Sequence, residues 1–489
     1  MKSKLLPPEA SVLLESMRAI GYDAATAVAD LVDNSITAGA TKVSIRFEPG
    51  KPSALAILDN GGGMTEVELE QSMRHGSRSP ADVRPADDLG RFGLGLKTAS
   101  LSQCRRLEVV SKKKKALHGM VWDLDDVATS KTWSVGVYES AEIDELPFVA
   151  ELKKYSSGTL VIWQKLDVLA AGDLENGTVL SERIRHVREH LGLVFHRYLS
   201  DRTRPLAIDI NLQPVIALDP FLENDGTVVG EEERIIVEGH PVILRAFTLP
   251  HISRLTKSQI EKAGGEVGLR RQQGFYVYRN HRLIVWGTWF RLFKQEELTK
   301  LTRVRVDVPN ALDHLWGLDI KKSLASPPAA IRSRLSGLVP TMVNPSRQAN
   351  QYRGRVGKEG IRSIWRRIED RDGIRYEIDS EHPLIAALRC NTDSGMLSEL
   401  DNILRIVAES LPIEALYNDR ANDKIGHKIE KPENDNLLEQ LEDLARQMLA
   451  AFCDRRDDQQ RLLDGLHTIE PFALHLKLTN TLKERLAIL

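Results

Sequence analysis

The chain has 489 residues, enough for about three domains of ~150 residues, each able to bury its own core. Hydrophobic residues make up 42% and charged residues 28%, which excludes a disordered, collagen-like or coiled-coil-dominated chain. Lys plus Arg number 67 against 69 Asp plus Glu, a net charge of -2, so a surface for nucleic acid has to be local rather than global. Cys104, Cys390 and Cys453 are too few and too scattered for a disulfide framework or a four-cysteine zinc site, as expected of a reducing compartment. No apolar run approaches the ~18 residues of a membrane span, and Pro7 and Pro8 interrupt the start too early for a signal peptide. The expected setting is the cytoplasm, with no membrane contact.

In chain order, the spacing of Val28, Leu31, Val32 and Ile36 predicts a helix over 24–36 that stops at Gly39. Strands follow at 42–47 and 54–58, the second running into Asp59-Asn60-Gly61-Gly62-Gly63. Further strands are expected at 106–111, 119–123, 132–139 and 159–165, giving an α+β sandwich of one mixed sheet covered by helices. A second unit, 169–340, is expected after a first domain of 1–168. Its elements are a helix at 184–199 and strands at 206–211, 234–249 and 274–285. Residues 341–489 are expected to be basic at first and then mainly helical.

Three segments of the first domain carry chemistry together. On the first helix, Asp30, Asn34 and Thr37 lie at i, i+4 and i+7 and share a face, with Asp33 beside it. A polar stripe is commonly just the solvated side of an amphipathic helix. Here an amide oxygen can ligate a hard cation, and a carboxylate one turn away can orient a water. Next, Asp59 stands at a strand end before three glycines. That is either a tight turn or a slot in which a flat base donates its exocyclic amine to the acid. Third, Gly90-Arg91-Phe92-Gly93-Leu94-Gly95-Leu96-Lys97 precedes a helix, where backbone N–H groups can close on phosphate oxygens and Lys97 adds a cation. Its spacing is neither that of the P-loop nor that of the Rossmann loop.

In this order and spacing the segments resemble the ATP-binding boxes of the GHKL superfamily, the fold shared by DNA gyrase B, the heat-shock chaperone of the ATPase type, histidine kinases and MutL. Residues 30–40 resemble its N box, residues 59–64 its D-x-G-x-G box, residues 90–100 its lid box, and Gly158-Thr159-Leu160-Val161-Ile162-Trp163 its fourth box. Gly90 to Lys97 and His75-Gly76-Ser77 are most similar to MORC ATPases and their bacterial relatives. The phrases Asn211-Leu212-Gln213, Leu218 to Phe221 and Gly274 to Ile284 resemble the transducer domain that follows the ATPase in MORC and MutL.

The resemblance implies a GHKL (Bergerat) ATPase sandwich, an α/β transducer-like domain and a mainly helical C-terminal region, with ATP and Mg2+ as cofactors. It makes Asn34 the magnesium ligand and Asp59 the adenine-reading acid. Gly61, Gly63, Met64, Gly93, Leu94, Gly95, Leu96, Lys97 and Thr159 line the nucleotide. A transducer lysine reaching the γ-phosphate would be Lys321 or Lys322. The family's general base is a glutamate four residues before the asparagine, and this chain has Asp30 there, one methylene shorter. A misplacement of ~1 Å can cost ~100-fold in rate, so binding of Mg-ATP is expected with slow hydrolysis. Thr37 also stands where an aspartate is common.

The implied function is an ATP-gated homodimeric clamp, acting on DNA through the Arg347–Arg367 region, where Tyr352 and Trp365 are interleaved with the cations. An acidic protein partner or intramolecular pairing is the competing use of that basic region. The resemblance also implies a setting in restriction or antiviral defence, with protein partners from such a system. A chaperone-like ATPase and a non-hydrolysing ATP-sensing scaffold remain as alternatives. Neither a histidine kinase nor an intrinsic nuclease is expected. Elsewhere, Lys112 to Lys115 are expected at a hairpin tip, either solvated or against a phosphate backbone. His186 and His190 are expected as ordinary helix histidines, and the stripe Leu437, Leu438, Leu441, Leu444, Met448 first as core and second as a dimer face.

Overall fold

The computed structural model describes residues 8–19, 21–48, 54–76, 89, 95–171, 178–316, 327–351, 361–370, 373–393, 395–413, 416, 434–452 and 456–487. The chain divides into two compact units, 1–348 and 349–489.

In the first unit, helices α1 (Ala10–Arg18) and α2 (Ala24–Thr37) precede strands β1 (Lys42–Glu48) and β2 (Ala54–Asp59). Helix α2 begins where the Asp23 side chain accepts the backbone N–H of Thr26 at 2.9 Å, satisfying one of the unpaired amides of its first turn. Its predicted apolar stripe is inside, with Val28, Leu31 and Val32 buried. Helix α3 (Glu66–Met73) opens on a capping box between Thr65 and Glu68. Helix α4 (Gly95–Leu101) leads to β3 (Arg106–Lys113) and β4 (Ala116–Asp123). The predicted strand over 132–139 shrinks to the pair β5 (Gly136–Val137), because a capping box between Glu139 and Glu142 starts a helix at Ser140. Strand β6 (Gly158–Gln164) completes the local set.

These strands form one sheet in the order β5-β4-β3-β6-β2-β1-β7-β8, with β7 Ala207–Ile210 and β8 Gln213–Pro214. Strand β7 runs parallel to β1, pairing Val43 with Ile208, so chain beyond residue 168 belongs to the first sheet. Central β2 is buried along its whole length. Leu55 and Ile57 enter the core under α2 and α4, while Ala56 and Leu58 face a second core with Val110, Leu160 and Ile162. That explains why β2 reads as a continuous apolar run instead of an alternation.

The helix predicted over 184–199 is Thr178–Val194, followed after a break at Phe195 by a single turn. The single runs predicted at 234–249 and 274–285 are each hairpins. The first joins β9 (Val228–Val237) to β10 (His240–Thr248), the second β11 (Gly274–Arg279) to β12 (Arg282–Thr288). Positive φ at Glu238 and Gly239, and at Asn280 and His281, makes the two tight turns that the apolar runs had concealed. With β13 (Thr302–Val308) they form a second sheet, order β12-β11-β13-β10-β9. One face of it packs Phe275, Val304 and Val306 on Ile331, Leu335 and Val339 of the helix Ala329–Gln351. The other face sends Tyr276, Tyr278 and Leu283 into the core of the first sheet. Pro340, where the composition changes, lies inside that helix.

The second unit contains the hairpin β14 (Trp365–Asp370) and β15 (Gly373–Ile378) and several helices. Leu438, Leu441 and Met448 are buried there with Leu463, Phe472 and Leu482, and Leu437 and Leu444 pack against them, so the leucine stripe is core. In the Arg347–Arg367 region, Trp365 starts strand β14, and 352–360, with Tyr352, lie outside the described residues. No helix among the described residues is long and apolar enough to cross a membrane.

Candidate functional site

Strand β2 ends at Asp59, which is buried, and the chain folds back over it. The carboxylate accepts the N–H of Gly61 at 2.8 Å, the N–H of Thr159 at 3.2 Å and the hydroxyl of Ser35 at 3.0 Å. Burial pushes this carboxyl above its ordinary range, and the three donors pull it back without cancelling the rise. The glycines expected to open a slot do so by close approach. A Cβ on Gly61 would meet Ala38 and the Asp59 carboxylate at 3.0 Å, and Gly63 has φ of +64°. Beyond the slot, Met64 donates its N–H to the Ser111 hydroxyl at 2.8 Å, and that hydroxyl lies 3.1 Å from the Thr159 hydroxyl. Asp59, Gly61, Gly63, Met64 and Thr159, from β2, its following loop and β6, are therefore gathered at one place.

Helix α2 runs beside this slot. Asp30 is buried at 5% exposure, whereas Asn34, one turn on, is exposed. Gly95, first residue of α4, faces Asp30: a Cβ there would lie 3.9 Å from Asp30 Oδ2. The N-terminus of α4 is thus set against the acid of α2, with half-buried Leu96 next in the chain. Lys97 is 1% exposed, and its ammonium donates to the Ser72 carbonyl at 2.6 Å. Burial lowers it to about 8. Gly93, Leu94, Lys321 and Lys322 lie outside the described residues.

The exposed amide of Asn34 suits a magnesium ion carried on phosphates. Such an ion takes one or two protein oxygens and fills its remaining positions with phosphate and water, so no dedicated cage is needed. Among the described residues no group of three His, Cys, Asp or Glu could hold a metal by itself.

Residues 22–159 match the family described as histidine kinase-, DNA gyrase B- and HSP90-like ATPase. They carry a GHKL-type ATPase domain. A DNA mismatch repair protein MutL from Xanthomonas axonopodis pv. citri (strain 306) is 33% identical to this chain over 103 residues, 21% of this chain and 16% of that protein. MutL from Shewanella loihica (strain ATCC BAA-1088 / PV-4) is 31% identical over 117 residues, 24% of this chain and 18% of its own. The aligned segment thus spans less than a fifth of these curated relatives. A solved structure titled "Crystal Structure of N terminal domain of a DNA repair protein" covers 69% of this chain and 99% of its own, with TM-score 0.42 and 15% identity.

Within the GHKL domain, several residues of the site were not among those predicted. Ser35 directly follows Asn34, and its hydroxyl is the side-chain donor to Asp59. Ser111 and Gly158 join β3 and β6 behind the slot: the Ser111 hydroxyl is 3.2 Å from the Gly158 carbonyl, and a Cβ on Gly158 would lie 2.1 Å from the Asp59 carbonyl oxygen. No local pattern marks Ser111, because its partners Met64, Gly158 and Thr159 all lie more than forty residues away along the chain.

Of the four lysines at 112–115, two have partners. Lys112 donates to the carbonyls of Lys153 and Tyr155, and Lys113 pairs with Glu68 at 2.7 Å. Lys114 and Lys115 form the exposed tip. His75 lies edge-on to Trp122 and Trp133, and burial lowers it to about 4, so it is a neutral packing group. His190 packs against Trp286 and is likewise lowered to about 4 by burial. In the basic region, Arg347 pairs with Glu296 at 3.0 Å and stacks over Phe293, and Arg366 lies 3.8 Å from Glu377. Both have intramolecular acidic partners.

Proposed function

We propose that the GHKL domain binds ATP with magnesium and hydrolyses it slowly, and that nucleotide binding drives dimerisation into a clamp acting on DNA. The observation that carries the nucleotide reading is the Asp59 slot. A buried carboxylate is held by three donors at the mouth of a glycine-lined gap, beside a helix presenting Asp30 and Asn34. A flat base with an exocyclic amine fits an acceptor of this kind, and the amide of Asn34 reaches solvent where the phosphates would extend.

Asp30 would hold the attacking water, and the start of α4 would present backbone N–H groups to the phosphates. The DNA part rests on the matched relatives, which are named as DNA mismatch repair proteins. A role in antiviral defence rests on the MORC resemblance alone. Asp30, in place of a longer acid, supports the second reading of an ATP-sensing scaffold that hydrolyses little.

The nucleotide site is tested by binding of an ATP analogue with magnesium to Asn34→Ala: affinity equal to that of the unmutated chain removes the assignment. Sedimentation with and without the analogue tests the clamp, and a fixed monomer rules it out. Gel retardation at low salt tests the DNA part. No shift in either nucleotide state would leave a protein client as the target.

A further inference from the structure

Two faces of α2 do different work. Asp30 and Asn34, at i and i+4, face the proposed nucleotide. Asp33, about 100° around the helix from Asn34, meets the second sheet directly, and Thr37, which lies between those two directions, reaches it through Leu89. Asp33 is 1% exposed, and its carboxylate is gripped by Arg282 Nε at 3.1 and 3.2 Å. Arg282 is itself fixed, donating to the Leu283 carbonyl at 2.6 Å and lying over the Phe195 ring at 5.2 Å. Thr37 Oγ1 accepts the N–H of Leu89 at 3.3 Å, and the Leu89 carbonyl accepts from Arg279 at 3.0 Å. Arg279 is held in turn by Asp313, with both carboxylate oxygens 2.9 Å from Nε.

Arg279 and Arg282 are directly opposed residues flanking the two-residue turn Asn280-His281 of the β11–β12 hairpin, so both leave it on one face. One hairpin therefore grips the N-box helix through Asp33 and the described residue of the glycine-rich loop region, Leu89, through its backbone. Because Asp33 and Asn34 are consecutive on a helix, anchoring the Asp33 carboxylate fixes the rotation of α2 and with it the direction in which the Asn34 Cα–Cβ bond leaves the helix.

We propose that Arg282 is a positioning residue for Asn34, and that the β11–β12 hairpin sets the magnesium dependence of nucleotide binding. This rests on the ATPase reading above. Outer partners that orient a metal-binding group characteristically change metal affinity about 10–100-fold when removed. An ion pair serving only to join two sheets would change thermal stability and leave the metal dependence alone.

The test compares the unmutated chain with Arg282→Lys, the double variant Asp33→Asn/Arg282→Gln, and Thr37→Val. The double variant removes both buried charges together and avoids leaving one unpaired. Thr37 is exposed, so its variant reports on the Leu89 arm in a chain that keeps its core. Two quantities are read: the magnesium concentration for half-maximal binding of a non-hydrolysable ATP analogue, and the affinity for ADP in EDTA. The expected result is a magnesium midpoint raised about tenfold in Arg282→Lys and the double variant, and less in Thr37→Val, with ADP binding in EDTA unchanged. An unchanged midpoint in folded variants, or a parallel loss of both bindings, overturns the proposal. An unmutated chain that binds neither nucleotide would instead overturn the ATPase reading itself.

Discussion

A side chain on Gly63 would begin where the main-chain oxygen of Lys112 already stands: a Cβ built on Gly63 lies 2.0 Å from that oxygen, at a φ of +64°. Strand β3 therefore closes the slot beside Asp59 only because residue 63 has no side chain. Its neighbour Gly62 has no such constraint, since the nearest atom to its Cβ is the Ala38 carbonyl oxygen at 3.6 Å.

Gly63→Ala combines a left-handed backbone with a backbone clash, and overpacking of this kind costs about 1–3 kcal/mol. We expect a clear fall in melting temperature and loss of nucleotide binding. Gly62→Ala is the control and should melt close to the unmutated chain. Equal melting of the two variants in a thermal scan would contradict the packing described around the slot.

Asp59 makes the proposed adenine recognition pH-dependent. Its carboxyl is raised by burial, so it takes up a proton at higher pH than an exposed aspartate. The neutral form loses part of its acceptor capacity, and nucleotide affinity should fall on acidification before ordinary carboxylates titrate. The stability linkage has the opposite direction. A raised carboxyl favours the folded state most below its unfolded value, and that contribution is lost as pH rises through the folded value. Affinity and melting temperature measured across the same mildly acidic range should therefore show opposite slopes from this group. Asp59→Asn should flatten the slopes in both.

How far the sequence reveals this site depends on distance along the chain. Helix α2, β1, β2 and the glycines after Asp59 were legible because their signals are local: apolar spacing, a glycine stop, an acid before three glycines. The strand β7 was visible as a strand, but not as a parallel neighbour of β1, since nothing in 206–211 states its partner. Arg282 meets Asp33 across 249 residues, and an arginine after Asn280-His281 is indistinguishable from any exposed hairpin arginine until the sheets are packed. Ser35 falls within the stretch 30–40 with no role legible there, because a small polar residue on a helix shows its hydrogen-bond partner only in three dimensions.

Lys97 provides a second pH signature. Its ammonium is lowered from 10.5 to about 8 by burial, which penalises the charged form in the fold. The penalty is complete below about 8 and is relieved between there and 10.5, so this group makes folding stability rise with pH over that window. Polyphosphate reaching Lys97 would favour the charged form, and binding near pH 8 should take up a proton. Calorimetry in two buffers of different ionisation enthalpy should show that uptake, with affinity weakening above pH 8 and with no net uptake in Lys97→Met. Identical proton uptake in that variant would leave Lys97 with the Ser72 carbonyl as its only role.

The last prediction concerns the acid of α2. Asp30 is shorter by one methylene than the glutamate the GHKL resemblance implies there, and a general base must lie within hydrogen-bond reach of the water it activates. The opposing residue, Gly95, carries no side chain, and even a Cβ there would stand 3.9 Å from Asp30 Oδ2. That side of the acid has room for one more carbon, provided it points toward α4. Asp30→Glu is therefore expected to fold, to bind the ATP analogue with unchanged affinity and to raise the steady-state rate of phosphate release. Displacements of ~1 Å are worth up to ~100-fold in rate, so an increase of about tenfold or more is the expected scale. Asp30→Asn should keep analogue binding and abolish the residual rate. If phosphate release is the same in all three forms, Asp30 does not act on the water, and an ATP-sensing scaffold becomes the better account of the site.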